Sequence, residues 1–323
     1  MTHSSDLQGR AVLVTGAAGC IGAWTVKLLR DAGAVPVVFD IADNRQRLEL
    51  IMSDPESVIW ELGDITDFER LSAVAVKHNI EAIIHLAALQ VPFCKADPIN
   101  STKINVMGSV NILELARQRG ISRLSYASSI AAPAMADNEW LATLYGAHKV
   151  CGEQMAAVYW QDWGVPSVGI RPAIIYGPGR DQGMSAAPTV AMLAATVDQH
   201  YSIPFSGDIS FVHVEDAASR FIAAATKSYQ GAHVFDLNGT PASIPDVLEL
   251  VRAQRASGQL DYTGDAMPFP ANPENGELDA LLNIAPCRSM AEGVKDTLNS
   301  FDQARERGID LNDLFLKTVE RNS

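Results

Sequence analysis

A short apolar strand that runs directly into a glycine-rich turn and then a helix constrains this chain more than any other feature. Residues 11–15 read AVLVT, and Gly16-Ala17-Ala18-Gly19-Cys20-Ile21-Gly22 follows as G-x-x-G-x-x-G. Residues 20–32 continue with Ile21, Trp24, Val26, Leu28 and Leu29 at apolar positions of a helix. One glycine makes the tight turn, one lets the backbone approach a pyrophosphate, and one lets helix and strand pack closely. The helix N-terminus then offers free N–H groups and a positive dipole end to phosphate oxygens. Gly16, Gly19, Cys20, Ile21 and Gly22 are therefore candidate dinucleotide contacts.

The rhythm that starts there continues. Strands are predicted at residues 35–39, 57–62, 82–87, 124–127 and 167–171, and helices at 67–78, 103–119 and 145–163. Strands alternating with helices of this length predict an α/β fold, a Rossmann-like doubly wound parallel sheet covered on both faces. After Arg171 the rhythm breaks at Pro178, Gly183, Pro188 and Pro204. Residues 262–276 read as loop and 290–307 as helix. The cofactor domain is placed at 6–172, with the sheet rejoined by about 209–238. Residues 173–208 and 239–323 are assigned to a smaller C-terminal, substrate-binding lobe, with the ligand between sheet and lobe.

Composition narrows the partners. With 25 Lys+Arg against 38 Asp+Glu, the net charge is −13, which repels nucleic acid and anionic membranes. No apolar run is long enough to span a membrane, and the short polar N-terminus shows no secretory signal. Cys20, Cys94, Cys151 and Cys287 form no zinc-like cluster, so the expectation is reduced thiols in a cytoplasmic protein without a metal.

The second strand ends in Asp40, where a carboxylate accepts hydrogen bonds from both ribose hydroxyls of an adenosine and repels a 2′-phosphate. This favours NAD, while Arg45 and Arg47 nearby leave NADP open. Helix capping is the competing role for Asp40. Tyr145 and Lys149 stand four residues apart on one helical face. An ammonium beside a phenol is expected to lower the tyrosine pKa and make an acid/base usable near neutral pH. Ser128 and Ser129, at the carboxyl end of the fifth strand, bring a hydroxyl toward the same place. Gln90, Phe93 and Trp140 are candidate pocket residues, with packing as the alternative.

Together these residues resemble the short-chain dehydrogenase/reductase superfamily, most closely its extended, NAD-dependent epimerase/dehydratase branch. Further matching segments are Gly63-Asp64-Ile65, His85-Leu86-Ala87-Ala88, Asn105, Arg171-Pro172-Ala173, Tyr176-Gly177-Pro178-Gly179 and Phe211-Val212-His213-Val214-Glu215-Asp216. The resemblance implies that Asp64 and Ile65 lie at the adenine. It implies that Leu86, Ala87 and Ala88 line the pyrophosphate and nicotinamide, and that Asn105, Pro172 and Ala173 also belong to the NAD site. Ser129, Tyr145 and Lys149 then form the catalytic set. Tyr145 exchanges a proton with the substrate hydroxyl, Lys149 lowers its pKa and binds the nicotinamide ribose, and Ser129 orients the oxygen. It also implies a homodimer paired through helices 103–119 and 145–163.

Two departures bear on the substrate. Nucleotide-sugar members commonly carry an Asn where this chain has Ile174, and an Arg where it has Ile209. Apolar side chains cannot neutralise a diphosphate, and burying one without partners is costly. The expected activity is therefore an NAD-dependent oxidoreductase acting on a small polyhydroxy compound: a free sugar, sugar acid or hydroxy acid. Arg180 is either a compensating contact or a surface residue. An NAD-retaining sugar epimerase is the alternative, and a non-catalytic NAD-binding regulator the remote one. Cys20 is expected to pack under the cofactor, and His213 to be structural.

Overall fold

The computed structural model describes residues 6–133, 142–255, 259–267 and 277–322. In chain order the strands are β1 (Ala11–Thr15), β2 (Val35–Asp40), β3 (Ile59–Leu62), β4 (Ala82–His85), β5 (Leu124–Ala127), β6 (Ser167–Pro172), β7 (Ile174–Tyr176), β8 (Tyr201–Ile203), β9 (Asp208–His213), β10 (Ala232–Leu237), β11 (Thr240–Ser243) and β12 (Leu260–Tyr262). Seven of them form one sheet in the order β10-β6-β5-β4-β1-β2-β3, with every pairing parallel.

Strand sequence explains the burial of both faces. Side chains alternate along a strand, so Val12 and Val14 of β1 enter one core cluster while Leu13 enters the other. Both clusters are buried, as a sheet covered by helices on each side requires. The first face packs against helices Cys20–Asp31 and Val214–Thr226, through Trp24, Val26, Leu29, Ala217 and Phe221. The second packs against Phe68–Lys77 and Gly108–Arg119, through Leu71, Val74, Ile112 and Leu115.

The sheet is rejoined by β10, which extends the β6 edge. Strand β9, expected to return to the main sheet with it, instead pairs with β7 and β11 in a separate three-stranded sheet. The helix expected at 103–119 opens with a π-helical turn, Lys103–Met107, before the α-helix Gly108–Arg119. Such turns recur at functional sites, and this one carries the buried Asn105. Strand order reverses between β1 and β4, which opens a crevice at their carboxyl ends. No helix among the described residues is long and apolar enough to cross a membrane.

Candidate functional site

The glycine turn sits at that crevice. Gly16 has φ 71, and a Cβ there would lie 2.7 Å from the Ala87 nitrogen. Gly22 is equally constrained, since a Cβ would meet the Gly16 carbonyl oxygen at 2.3 Å. Helix Cys20–Asp31 starts at Gly19 with no side-chain cap, so its first-turn N–H groups remain free for an anion. Burial pushes the Cys20 thiol up to about 12, overriding the helix terminus, so Cys20 is an inert packing residue.

Asp40, at the end of β2, reaches back to this turn. Its Oδ2 accepts from the Ala18 N–H at 2.9 Å and its Oδ1 from the Ile41 N–H at 2.8 Å. Burial raises its pKa, against the lowering effect of those N–H donors. Both nearby arginines are committed elsewhere. Arg45 pairs with Asp43 at 2.6 Å. Arg47 donates to the Ala18 and Gly179 carbonyls and pairs with Asp181 at 2.5 Å. Asp181 also receives Arg321 at 3.3 Å, and its carbonyl accepts from Asn322 at 2.8 Å, so the helix Leu311–Asn322 is tied to the glycine turn through one carboxylate.

The segment after β4 is fixed by buried polar contacts. Thr15 Oγ1 accepts from the Leu86 and Ala87 N–H groups, at 3.2 Å each, and lies 2.8 Å from His85 Nδ1. A hydroxyl carries one proton, so Thr15 donates to His85, whose Nδ1 must be bare. Burial accordingly pushes His85 down to about 3. Asn105 clamps the same segment by accepting from the Leu89 N–H at 2.8 Å and donating to the Leu89 carbonyl at 2.9 Å. It lies 4% exposed, behind the loop that carries Leu86, Ala87 and Ala88, so its amide holds that loop. Ile65 is likewise core, packed where a Cβ on Gly108 would meet it at 2.8 Å. Asp64 makes a local turn by accepting from the Thr66 N–H and hydroxyl.

Ser129, Tyr145 and Lys149 come together at the carboxyl end of β5. Helix Leu144–Trp163 begins at Thr143, whose Oγ1 accepts from the Gly146 N–H at 3.0 Å, so Tyr145 falls in its first turn. Lys149 Nζ donates to the Ala127 carbonyl at 2.6 Å and lies 5.4 Å from the Tyr145 ring centre. A hydrogen bond from Ser129 and the charge of Arg180 act on the Tyr145 phenol. The expected lowering of the tyrosine pKa is not found: burial pushes Tyr145 up to about 12, and Ser129 and Arg180 offset it only in part. Burial also pushes the Lys149 ammonium down to about 8, which weakens the cation assigned that task. Pro172 and Ala173 flank this place, with the Pro172 carbonyl accepting from Ile130 and the Ala173 N–H donating to Leu237.

Sequence reasoning missed what lies beneath. Ser128 donates to Glu153, one turn beyond Lys149, and Glu153 accepts from Arg171 of β6 at 2.7 and 2.6 Å. Consecutive residues Ala127, Ser128 and Ser129 therefore each contact the helix that carries Tyr145. Arg180, which the sequence left as either a compensating contact or a surface residue, is partly buried, and its charge acts on both Cys20 and Tyr145. Its signal in the sequence was its place after the Gly177-Pro178-Gly179 turn. Gln90 Oε1 approaches Gly183 beside it, whereas Phe93 is half exposed and Trp140 lies outside the described residues. His213 is buried, caps the helix Val214–Thr226 and packs edge-on to Tyr176, a structural role. No cluster of three metal-ligating side chains occurs among the described residues, and all four cysteines are free. The uncapped helix start, the close-packed glycine turn and the Asp40 carboxylate fit NAD.

Comparison with known proteins agrees with this geometry. The NAD dependent epimerase/dehydratase family matches residues 12–238. The UDP-glucose 4-epimerase of Rhizobium leguminosarum bv. trifolii is 35% identical over 90% of this chain and 96% of its own. Among solved structures, L-threonine dehydrogenase from Clostridium difficile superposes with a TM-score of 0.75 at 21% identity, over 92% of this chain and 98% of that one. UDP-glucose 4-epimerase from Brucella ovis in complex with NAD gives 0.73 at 25% identity, over 91% and 98%. The chain belongs to the NAD-dependent epimerase/dehydratase family and is an NAD-dependent enzyme of the short-chain dehydrogenase/reductase type.

Proposed function

We propose that the protein is a dehydrogenase that moves hydride between NAD and the secondary alcohol or ketone of a small hydroxy compound. The observation that carries this reading is the burial of Ile174 and Ile209, 7% and 0% exposed, in the main core. These are the positions where nucleotide-sugar members of the family commonly place a polar side chain on the diphosphate.

In the oxidation direction the carbinol C–H bond breaks and its electron pair leaves as hydride. The O–H proton passes to the Tyr145 oxygen, and the C=O bond forms. NAD, when bound, supplies the hydride acceptor. Ser129 orients the reacting oxygen, and Lys149 holds a positive charge below it. At neutral pH a phenol pushed up to about 12 keeps its proton, the form that protonates a nascent alkoxide during carbonyl reduction. We also read the protein as a homodimer through helices Gly108–Arg119 and Leu144–Trp163, where Val158 and Trp163 are exposed. A monomeric mass by light scattering at micromolar concentration would remove that part.

The second reading, a sugar epimerase that returns hydride to the opposite face, is favoured by the 35% identity to a UDP-glucose 4-epimerase. A screen of sugars, sugar acids and hydroxy acids with NAD, followed at the absorbance of NADH, separates the two. NADH formation is expected. Inversion of UDP-glucose without accumulation of NADH would establish the epimerase instead.

A further inference from the structure

The cations around the glycine turn are not treated alike. Arg47 has Asp181 at 2.5 Å, Arg45 has Asp43 at 2.6 Å, and Arg171 has Glu153 at 2.6 Å. Arg180 has no carboxylate within ion-pair distance among the described residues. Its neighbour Asp181 is taken by Arg47 and Arg321. Among the described residues its guanidinium makes one hydrogen bond, from Nη2 to Ser185 at 2.9 Å, and its buried Nε has no partner. The chain has 38 acidic residues, so the missing counter-charge does not reflect a shortage of carboxylates. A buried cation without an anion is unfavourable, and a guanidinium is a planar fork suited to a carboxylate.

The surroundings show where such an anion would sit. The backbone N–H of Arg180 donates to the Gly177 carbonyl at 3.0 Å, which closes the turn after β7. Its Nη2 and the Gln90 Oε1 each lie 3.5 Å from where a Cβ on Gly183 would stand, so the guanidinium and the amide flank one small space. Gly183 has φ 89, a conformation that leaves that space free of a side chain. The charge of Arg180 also acts directly on the Tyr145 phenol.

We propose that Arg180 receives the carboxylate of the substrate, which makes the protein a dehydrogenase of hydroxy acids or sugar acids rather than of neutral sugars. This rests on the dehydrogenase reading above and narrows its substrate. The cofactor pyrophosphate is the other anion that could reach Arg180 from the Cys20 side. The Gln90 amide across the Gly183 space favours the substrate, because it adds a polar partner beside the guanidinium.

The test uses the full-length protein with NAD and a panel of short hydroxy acids and aldonic acids, each beside its neutral amide or alditol. At least one acid is expected to give NADH with kcat/KM about 100-fold or more above its neutral counterpart, the scale for losing a buried charged hydrogen bond. Arg180→Met should abolish that preference, and Arg180→Lys should restore part of it, while the NAD Kd by calorimetry stays within about twofold. Equal turnover of acids and their neutral counterparts would overturn the proposal. So would an Arg180→Met protein whose NAD Kd rises tenfold or more at unchanged KM, which would assign Arg180 to the pyrophosphate. A binding arm separates this proposal from the reading beneath it: the melting temperature of NADH-loaded protein with each acid. If no compound gives NADH, yet acids raise the melting temperature of wild type and not of Arg180→Met, the anion site stands and the dehydrogenase reading falls. If no acid gives NADH or raises the wild-type melting temperature, the anion site falls.

Discussion

Arg171 donates through Nε and Nη2 to the two carboxylate oxygens of Glu153, at 2.7 and 2.6 Å, directly beneath the strand end that carries Ser129. Glu153 is 7% exposed, so removing it leaves the Ser128 hydroxyl without its acceptor and the Arg171 guanidinium with only the longer Asp236 contact at 3.5 Å. Glu153→Ala should lower stability by about 3–5 kcal/mol in chemical denaturation, the range for breaking a buried pair from one side. Replacing both residues together should cost less than the two single changes summed. A single-variant loss below about 1 kcal/mol would show the pair to be incidental.

Cofactor choice follows from Asp40. Arg45 and Arg47 are both engaged in ion pairs, so neither is free to receive a 2′-phosphate beside Asp40. NAD should bind about 100-fold more tightly than NADP, a difference of a few kcal/mol. Asp40→Ala should narrow that gap mainly by weakening NAD. Equal affinities for the two cofactors in wild type, measured by calorimetry, would reject the assignment.

Proton transfer should run through Tyr145. Tyr145→Phe removes one oxygen and should lower kcat by about 10²–10⁴ while leaving NAD affinity unchanged. Ser129→Ala should also lower kcat with little effect on cofactor affinity. Because burial holds the phenol near 12, oxidation should accelerate as pH rises through the alkaline range, whereas reduction should not. A folded, NAD-saturated Tyr145→Phe protein with wild-type turnover would exclude this route.

Lys149 should be a stability cost kept for function. Its ammonium is pushed from 10.5 down to about 8, so below pH 8 the folded protein holds a charge that burial disfavours. Lys149→Met should raise the melting temperature at pH 7 by a few degrees while weakening NAD binding and kcat. The folded lysine loses its proton near 8 while the unfolded one keeps it to 10.5. Wild type therefore recovers relative stability across that interval, and the gap should close. A lower melting temperature for the variant at pH 7 would contradict this.

Acid should loosen the loop after β4. His85 sits at about 3 in the folded protein against an ordinary 6.5. The stability it contributes is present above 6.5 and is lost progressively as pH falls toward 3, because the unfolded chain takes up the proton first. His85→Asn should flatten that decline in denaturation experiments run between pH 7 and 5. Parallel declines in the two proteins would show that another group is responsible.

What could be read from the chain beforehand was local. The glycine turn, Asp40 and the Tyr145–Lys149 spacing each lie within one strand–turn–helix or a single helical face, where periodicity and turn chemistry act directly. The helix Ala187–Thr196 was hidden for a physical reason: all ten of its residues are buried, so it has no polar face to give a period. Pro188, taken as punctuation, stands in its first turn, where a missing N–H costs nothing. The role of β9 was hidden because a strand's pattern does not name its partner. Glu153, Arg171 and Arg180 gain meaning only from contacts far apart in sequence. The tyrosine pKa was misjudged because spacing brings Lys149 close but does not say how deeply either group is buried.

The double use of Asp181 has a consequence for how the chain is made. A ribosome delivers the glycine turn and Arg47 early, but Arg321, which shares that carboxylate, and Asn322, which donates to the Asp181 backbone carbonyl, only with the helix Leu311–Asn322. A nascent chain stopped before that helix can close its main sheet while the Arg47–Asp181 bridge lacks its outer brace. Competence to grip a dinucleotide should therefore mature late in synthesis, after the sheet that frames it.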